Sequence, residues 1–183
     1  MKKILLILAL IIPSVSFAQN ETKKSQTTFE KFTSSLGSIM KFVDYELPDL
    51  KSQYANAKVI IRKVTAGGQG ECFLKVEFTD YSKSNYSAFI ASDDVFELKK
   101  ALDELKKLSE NDGTGDASYL ENKFTTRDNL KMGYYIEKKK SGDKAPVWFI
   151  NLEGYNRSSL YFDDATALSS LFENAINKIN EIK

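Results

Sequence analysis

The chain has no histidine, one cysteine, three prolines and a single tryptophan among its 183 residues. Without histidine there is no Ser–His or Cys–His nucleophile pair, no zinc set of the usual composition, and none of the commonest general base at neutral pH. With Cys72 alone, no internal disulfide can form, so the apolar core must hold the fold by itself. Neither sign of charge dominates. The 26 basic and 25 acidic side chains leave +1, too little for the broad positive field of a non-specific nucleic-acid binder. Long apolar runs are missing too, save Ile4 to Ile12, which falls short of the roughly 20 residues that a bilayer span needs. Lys2 and Lys3 precede that run, and Pro13 and the small-residue pattern Ser16-Phe17-Ala18 follow it. This predicts a signal peptide over residues 1–18 and export to the periplasm or beyond the cell. No cysteine stands beside the expected cleavage point, so no lipid anchor is expected, and no membrane span remains after cleavage. Removal of Lys2 and Lys3, with no acid lost, takes the net charge from +1 to −1.

What the chain does have is a repetition. Leu74-Lys-Val-Glu-Phe-Thr-Asp-Tyr81 aligns with Trp148-Phe-Ile-Asn-Leu-Glu-Gly-Tyr155, and Ser-Asp93-Asp94-Val-Phe-Glu-Leu98 with Phe-Asp163-Asp164-Ala-Thr-Ala-Leu168. The first offset is 74 positions and the second 70, the difference falling in a shorter loop before Asp163 than before Asp93. Self-similarity of this length means one supersecondary unit used twice. In the first copy, strands are predicted at Met40–Leu47 (ending at Pro48), Lys58–Val64, Glu71–Phe78 and Tyr86–Ala91. The glycine cluster Thr65 to Gly70 suits a hairpin with residues at positive φ. Cys72, Leu74, Val76 and Phe78 alternate onto one buried face, which makes Cys72 a small core residue; Phe73 on the opposite face breaks the pattern. Asp94 and Glu97 have capping-box spacing, and Val95, Leu98, Leu102 and Leu105 form a stripe at helical period. The second copy gives Tyr119–Thr126, Leu130–Lys138, Val147–Leu152, Ser159–Phe162 and a helix from Ala165 to about Ile182. The expected class is α+β: two tandem ββββα repeats, antiparallel sheets each backed by a C-terminal helix, packed into one body around a shared core. Residues 19–38 are expected as a flexible leader, with Phe29 to Ser38 open between a helical turn and a short strand. The repeats occupy 39–109 and 119–183, joined by a linker over 110–118.

A sheet followed by a helix, used in tandem, resembles in topology the whirly and PUR-type nucleic-acid-binding modules. That resemblance implies two units fused with a helix pair, and single-stranded nucleic acid as ligand. The stretch Lys41-Phe-Val-Asp-Tyr-Glu-Leu47 and the Gly133-Tyr-Tyr135 strand also look like those of exported bacterial proteins of unknown role.

Several constellations could carry chemistry. Ser38-Ile-Met-Lys41 has the Ser-x-x-Lys spacing of penicillin-recognising enzymes, but the companion motifs are absent. Asn111 to Asp116 is faintly like a calcium loop without its closing glutamate, so no metal or cofactor is expected. Asp93, Asp94, Asp163 and Asp164 fall where helices begin, which suits caps rather than catalysts. Lys138, Lys139, Lys140 and Lys144 surround a hairpin turn. Tyr134, Tyr135, Trp148, Phe149, Tyr155 and Tyr161 crowd the second copy, and alternation puts Trp148 inside with Ile150 and Leu152 while Phe149 and Tyr135 face outward. Such an outer face is either an interface between the repeats or a docking surface.

The expected function is therefore an exported, non-catalytic binding module. Tyr135, Phe149, Tyr155, Tyr161 and Lys139 would form its site, and a protein or cell-envelope component its partner. Nucleic acid is not expected on charge, and the oligomeric state is left open. Two alternatives stand beside it: a carboxylate-based hydrolase of envelope glycan using the aspartate doublets, and the single-stranded nucleic-acid binding that the topology implies.

Overall fold

The computed structural model describes residues 26–34, 37, 39–112, 116–137, 145–152 and 159–183. A short helix, α1 (Thr28–Thr33), precedes β1 (Met40–Lys51), β2 (Asn56–Ala66), β3 (Gln69–Thr79), β4 (Asn85–Ala91) and α2 (Ser92–Asn111). The second copy follows as β5 (Tyr119–Thr125), β6 (Lys131–Glu137), β7 (Pro146–Asn151), β8 (Ser159–Phe162) and α3 (Thr166–Ile182). Each set of four strands is an antiparallel meander in sequence order, and each is followed by its helix. The expected α+β architecture of two sheet–helix units in one body is the fold observed. The signal peptide, Ser38, and the basic tip 138–144 with Lys139 lie outside the described residues, as does Tyr155.

Local chemistry accounts for the details. Gly67 and Gly68 make the two-residue β2–β3 turn at φ 55° and 82°, a mirror-image turn that suits the twist of a hairpin and that glycine enters without strain. β1 does not stop at Pro48. It continues to Lys51 across a register shift between Leu47 and Leu50, because an edge strand with a bulge tolerates a residue that cannot donate to the ladder.

Alternation sorts the side chains as the sequence predicts. Cys72, Leu74, Val76 and Phe78 of β3 and Met132, Tyr134 and Ile136 of β6 point into one cluster. Trp148 and Ile150 of β7 join them, with the stripes Val95–Leu98–Leu102–Leu105 of α2 and Leu168–Leu171–Phe172–Ala175–Ile179 of α3. Both copies thus share one core. The helices pack on each other, with Lys99 of α2 reaching Glu173 of α3 at 3.8 Å. They also cross between the units. α2 touches β3 and β4 of its own sheet and β5 and β6 of the other, and α3 approaches β1 and β2. Lys63 on β2 donates to the carbonyl of Ile182 at 2.5 Å, satisfying an acceptor at the C-terminal end of α3.

Phe73, the exception in the pattern, is fully buried, because α1 lies on the outer face of the first sheet. Phe29 stacks on Phe89 with ring centroids 3.8 Å apart and meets Phe73 edge-on at 5.1 Å. The helical-turn alternative for this stretch is the one adopted. A complete capping box between Thr27 and Glu30 starts the helix, and Asp128 accepts from the Thr28 amide at 2.9 Å.

Candidate functional site

The outer faces of the two sheets differ. On the first sheet, cross-strand ion pairs join Arg62 to Asp44 and Lys58 to Glu46, and α1 covers the aromatic groups beside them. The second sheet presents Tyr119, Tyr135, Phe149 and Tyr161 from four successive strands. The ladder places Tyr135 beside Val147 and Phe149 opposite Tyr161. Tyr119 and Tyr135 stack with centroids 6.0 Å apart, and Tyr135 meets Phe149 at 6.5 Å. Tyr119 is 52% exposed, Tyr135 and Tyr161 are half-buried, and Phe149 is buried within the row. None of the four belongs to the core that joins the repeats. Among the described residues the units meet chiefly through the opposite faces and the helices; only at the Tyr161 end does the row touch the first unit, where the Tyr161 carbonyl accepts from the Gln53 amide at 2.9 Å. The row is an exposed aromatic cluster. Gly133 lies within it for a steric reason: a Cβ there would come within 2.1 Å of the Asn122 carbonyl oxygen.

Electrostatics along the row are muted. Glu121 is bridged by Lys123 at 2.9 Å and accepts the Tyr119 hydroxyl at 2.8 Å. Desolvation and this bond push the Tyr119 pKa up to about 12. Burial raises that of Tyr135 as well, with the neighbouring Tyr161, Glu137 and Tyr54 adding to it. The Tyr119 and Tyr135 phenols therefore stay neutral donors at physiological pH.

From Tyr161 the row turns into a cleft of about 410 Å³ walled by the β1–β2 turn, the β3–β4 loop and β8. Tyr54 and Tyr81 stand on its rim, 61% and 81% exposed. A second cleft, of about 450 Å³, lies between α1, β4 and the β5–β6 turn and is lined by Asp94, Arg127 and Asp128.

The four aspartates divide between helix-end roles and bonds that cross between the units. The capping box of Asp94 and Glu97 does not form: Ala91 is the N-cap of α2, without a side-chain bond, and Asp94 sits inside the first turn. It is 1% exposed, and its Oδ1 accepts from Arg127 Nη2 at 3.0 Å and Nε at 3.2 Å, while Oδ2 is buried without a partner. Burial raises its pKa against the pull of the Arg127 hydrogen bond and charge. Asp93 stays exposed in the same turn, where its charge suits the positive helix end. In the second copy, Asp164 accepts from the Thr166 amide at 2.7 Å, which lowers its pKa and meets the capping expectation in substance. Asp163 accepts from Gln53 Nε2 at 2.7 Å. A common plan emerges: the first hairpin turn of each unit (Gln53, Arg127) reaches an aspartate at the start of the other's helix. The doublets latch the units together. Neither Asp163 nor Asp164 lines the cleft that holds Asp94, so no carboxylate pair from the two doublets flanks a common space there.

Alternation in the sequence put Tyr135 and Phe149 on one outer face, which the ladder bears out; Tyr161, a candidate whose direction the sequence left open, falls on the same face, and Tyr54, Tyr81 and Tyr119 were not singled out. The first two stand in turns, where no period reports orientation; Tyr119 opens β5, and its alternation with Glu121 and Lys123 was the available signal. No helix among the described residues is long and apolar enough to cross a membrane. Compared with known proteins, the sequence matches no family model and no curated protein, so any functional reading rests on these side chains.

Proposed function

We propose that the chain is an exported, non-catalytic binding module that docks a protein or cell-envelope component on the aromatic face of the second sheet. The observation that carries this reading is the exposed aromatic row Tyr119–Tyr135–Phe149–Tyr161, over which no described element lies, whereas α1 covers Phe73 and Phe89 on the equivalent face of the first sheet. Tyrosines supply large contact area at low entropic cost and keep a polar tip for hydrogen bonding. The missing histidine and the engagement of Asp94, Asp163 and Asp164 in the framework weigh against the glycan-hydrolase alternative. The mixed charge of the row weighs against single-stranded nucleic acid, which calls for a basic groove beside its stacking platform.

Site-specific photo-crosslinking in producing cells tests the reading. Benzoylphenylalanine in place of Tyr119 or Tyr135 should capture a discrete envelope partner. The same probe in place of Phe42, an exposed aromatic of the first sheet, should not. Equal capture from both sheets, or none from the second, would refute it.

A further inference from the structure

The cleft at the end of the aromatic row is a built site, and its chemistry selects a ligand class. Its floor is Phe78 and Leu160; its rim is Tyr54, Tyr81 and Tyr161. Both flexible-looking walls are fixed. In the β3–β4 loop, the Asp80 carboxylate accepts from the Ser82 hydroxyl at 2.7 Å and the Ser84 amide at 2.9 Å, and Lys83 holds a left-handed φ of 61°. In the β1–β2 turn, Ser52 donates to the Ala55 carbonyl at 2.5 Å, and the Gln53 amide donates to the Tyr161 carbonyl at 2.9 Å. A site already ordered spends little binding energy on ordering, and about 410 Å³ lies within the usual ~300–1,000 Å³ of ligand pockets.

The lining excludes several occupants. Among the described residues no basic side chain lines the cleft and Asp80 is its only charged group, which disfavours a phosphate or polyanion. The Gln53–Tyr161 bond already uses β8 backbone at this edge, which hinders an extended peptide from adding as a strand. What remains is a ligand with flat apolar faces for the exposed tyrosine rings and many hydroxyl donors for an acceptor-only carboxylate. The Ser82 hydroxyl, the Ser84 amide and the Tyr86 hydroxyl already donate to its two oxygens and hold Asp80 below the usual carboxylate range, so it stays ionised with only part of its acceptor capacity open to a sugar hydroxyl.

We propose that this cleft binds a neutral pyranose glycan, with Tyr54 and Tyr81 stacking on sugar faces and Asp80 accepting sugar hydroxyls. The proposal rests on the reading of the chain as a binding module and names the ligand of one end of its surface.

Backbone-amide NMR titration of the full protein with chitohexaose, cellohexaose and maltohexaose tests it, with dextran sulfate as the anionic control. At least one neutral hexasaccharide should shift amides of 52–55, 80–84 and 159–161, and dextran sulfate should shift none of them. Tyr81→Ala and Tyr54→Ala remove rings that are mostly in solvent, so the fold persists; each should weaken the neutral glycan at least about tenfold, as loss of a well-seated contact of about 1.4 kcal/mol does. Phe42→Ala, an exposed ring of the first sheet away from the cleft, should leave it unchanged. Absence of shifts with all three sugars, or equal shifts with dextran sulfate, overturns the glycan site. Sugar-induced shifts confined to Tyr119 and Tyr135 overturn it too while leaving the docking face standing; loss of crosslinking at Tyr119 with intact sugar binding at Tyr81 does the reverse.

Discussion

Removing Arg127 gives the sharpest test of the latch at Asp94. In Arg127→Ala the buried carboxylate loses both of its donors, Nη2 at 3.0 Å and Nε at 3.2 Å, while Oδ2 has none to begin with. Stranding a buried charged partner costs about 3–5 kcal/mol in a fully enclosed pair. The Arg127 side chain is 66% exposed, so solvent already screens this pair and about 2 kcal/mol is expected near neutral pH. The cost should depend on pH in a defined direction. The Asp94 pKa is raised above 3.8 in the folded state, so the folded chain holds that proton more tightly than the unfolded one. This group's contribution therefore worsens as pH rises through its folded pKa and recovers as pH falls toward 3.8. Urea denaturation of wild type and Arg127→Ala at about pH 7.5 and about pH 4.5 should show a smaller gap at the lower pH, since protonation of Asp94 removes its need for a cation. In an Asp94→Asn background, Arg127→Ala should cost no more than about 0.5 kcal/mol. A gap that stays constant with pH, or a full cost in that background, would show that Arg127 acts through packing and that the latch argument is wrong.

Three further outcomes follow from the geometry. Gly133→Ala should destabilise by about 3 kcal/mol or prevent folding, because its Cβ would meet backbone at 2.1 and 2.8 Å rather than a yielding side chain; a thermal melt within error of wild type would contradict this. Tyr134→Phe removes the hydroxyl that donates to Asp112 Oδ2 at 2.5 Å and accepts from Asn122 at 2.8 Å, for about 1–2 kcal/mol in urea denaturation. Spectrophotometric titration should also find Tyr134 and Tyr119 protonated until about 12; because the folded pKa of Tyr134 is raised, its stabilisation is present below 10.0 and lost as pH climbs through about 12. Phe29→Ala unstacks α1 from Phe89 and Phe73 and should cost about 2 kcal/mol, with hydrogen exchange accelerating at 28–33 and at Phe73 but not in the second sheet.

Much of the fold was legible because its signals are local. Alternation located Cys72 to Phe78 and Trp148 to Leu152, helical spacing located the stripes of α2 and α3, and paired glycines located the β2–β3 turn. What escaped depends on distant partners. Phe73 looked misplaced because Phe29 and Phe32, which cover it, lie some forty residues upstream. Asp94 looked like a cap because Arg127 belongs to the other copy. Pro48 looked like a strand end because nothing local says that β1 lies at an edge, where a bulge is tolerated. The candidate face was half legible: period 2 fixed which way Tyr135 and Phe149 point, whereas the direction of Tyr161 and whether anything lies over the row depend on how the strands pair and where the other copy and α1 settle.

The crossing of the helices sets a limit on how this molecule can come apart. Were the chain severed between α2 and β5, the amino-terminal piece would keep α2 but lose α3 from β1 and β2, while the carboxy-terminal piece would have bare β5 and β6 where α2 had been. Neither fragment could close its own interior. Melting should therefore proceed in one concerted step rather than half by half, and two fragments produced separately should gain structure only when mixed.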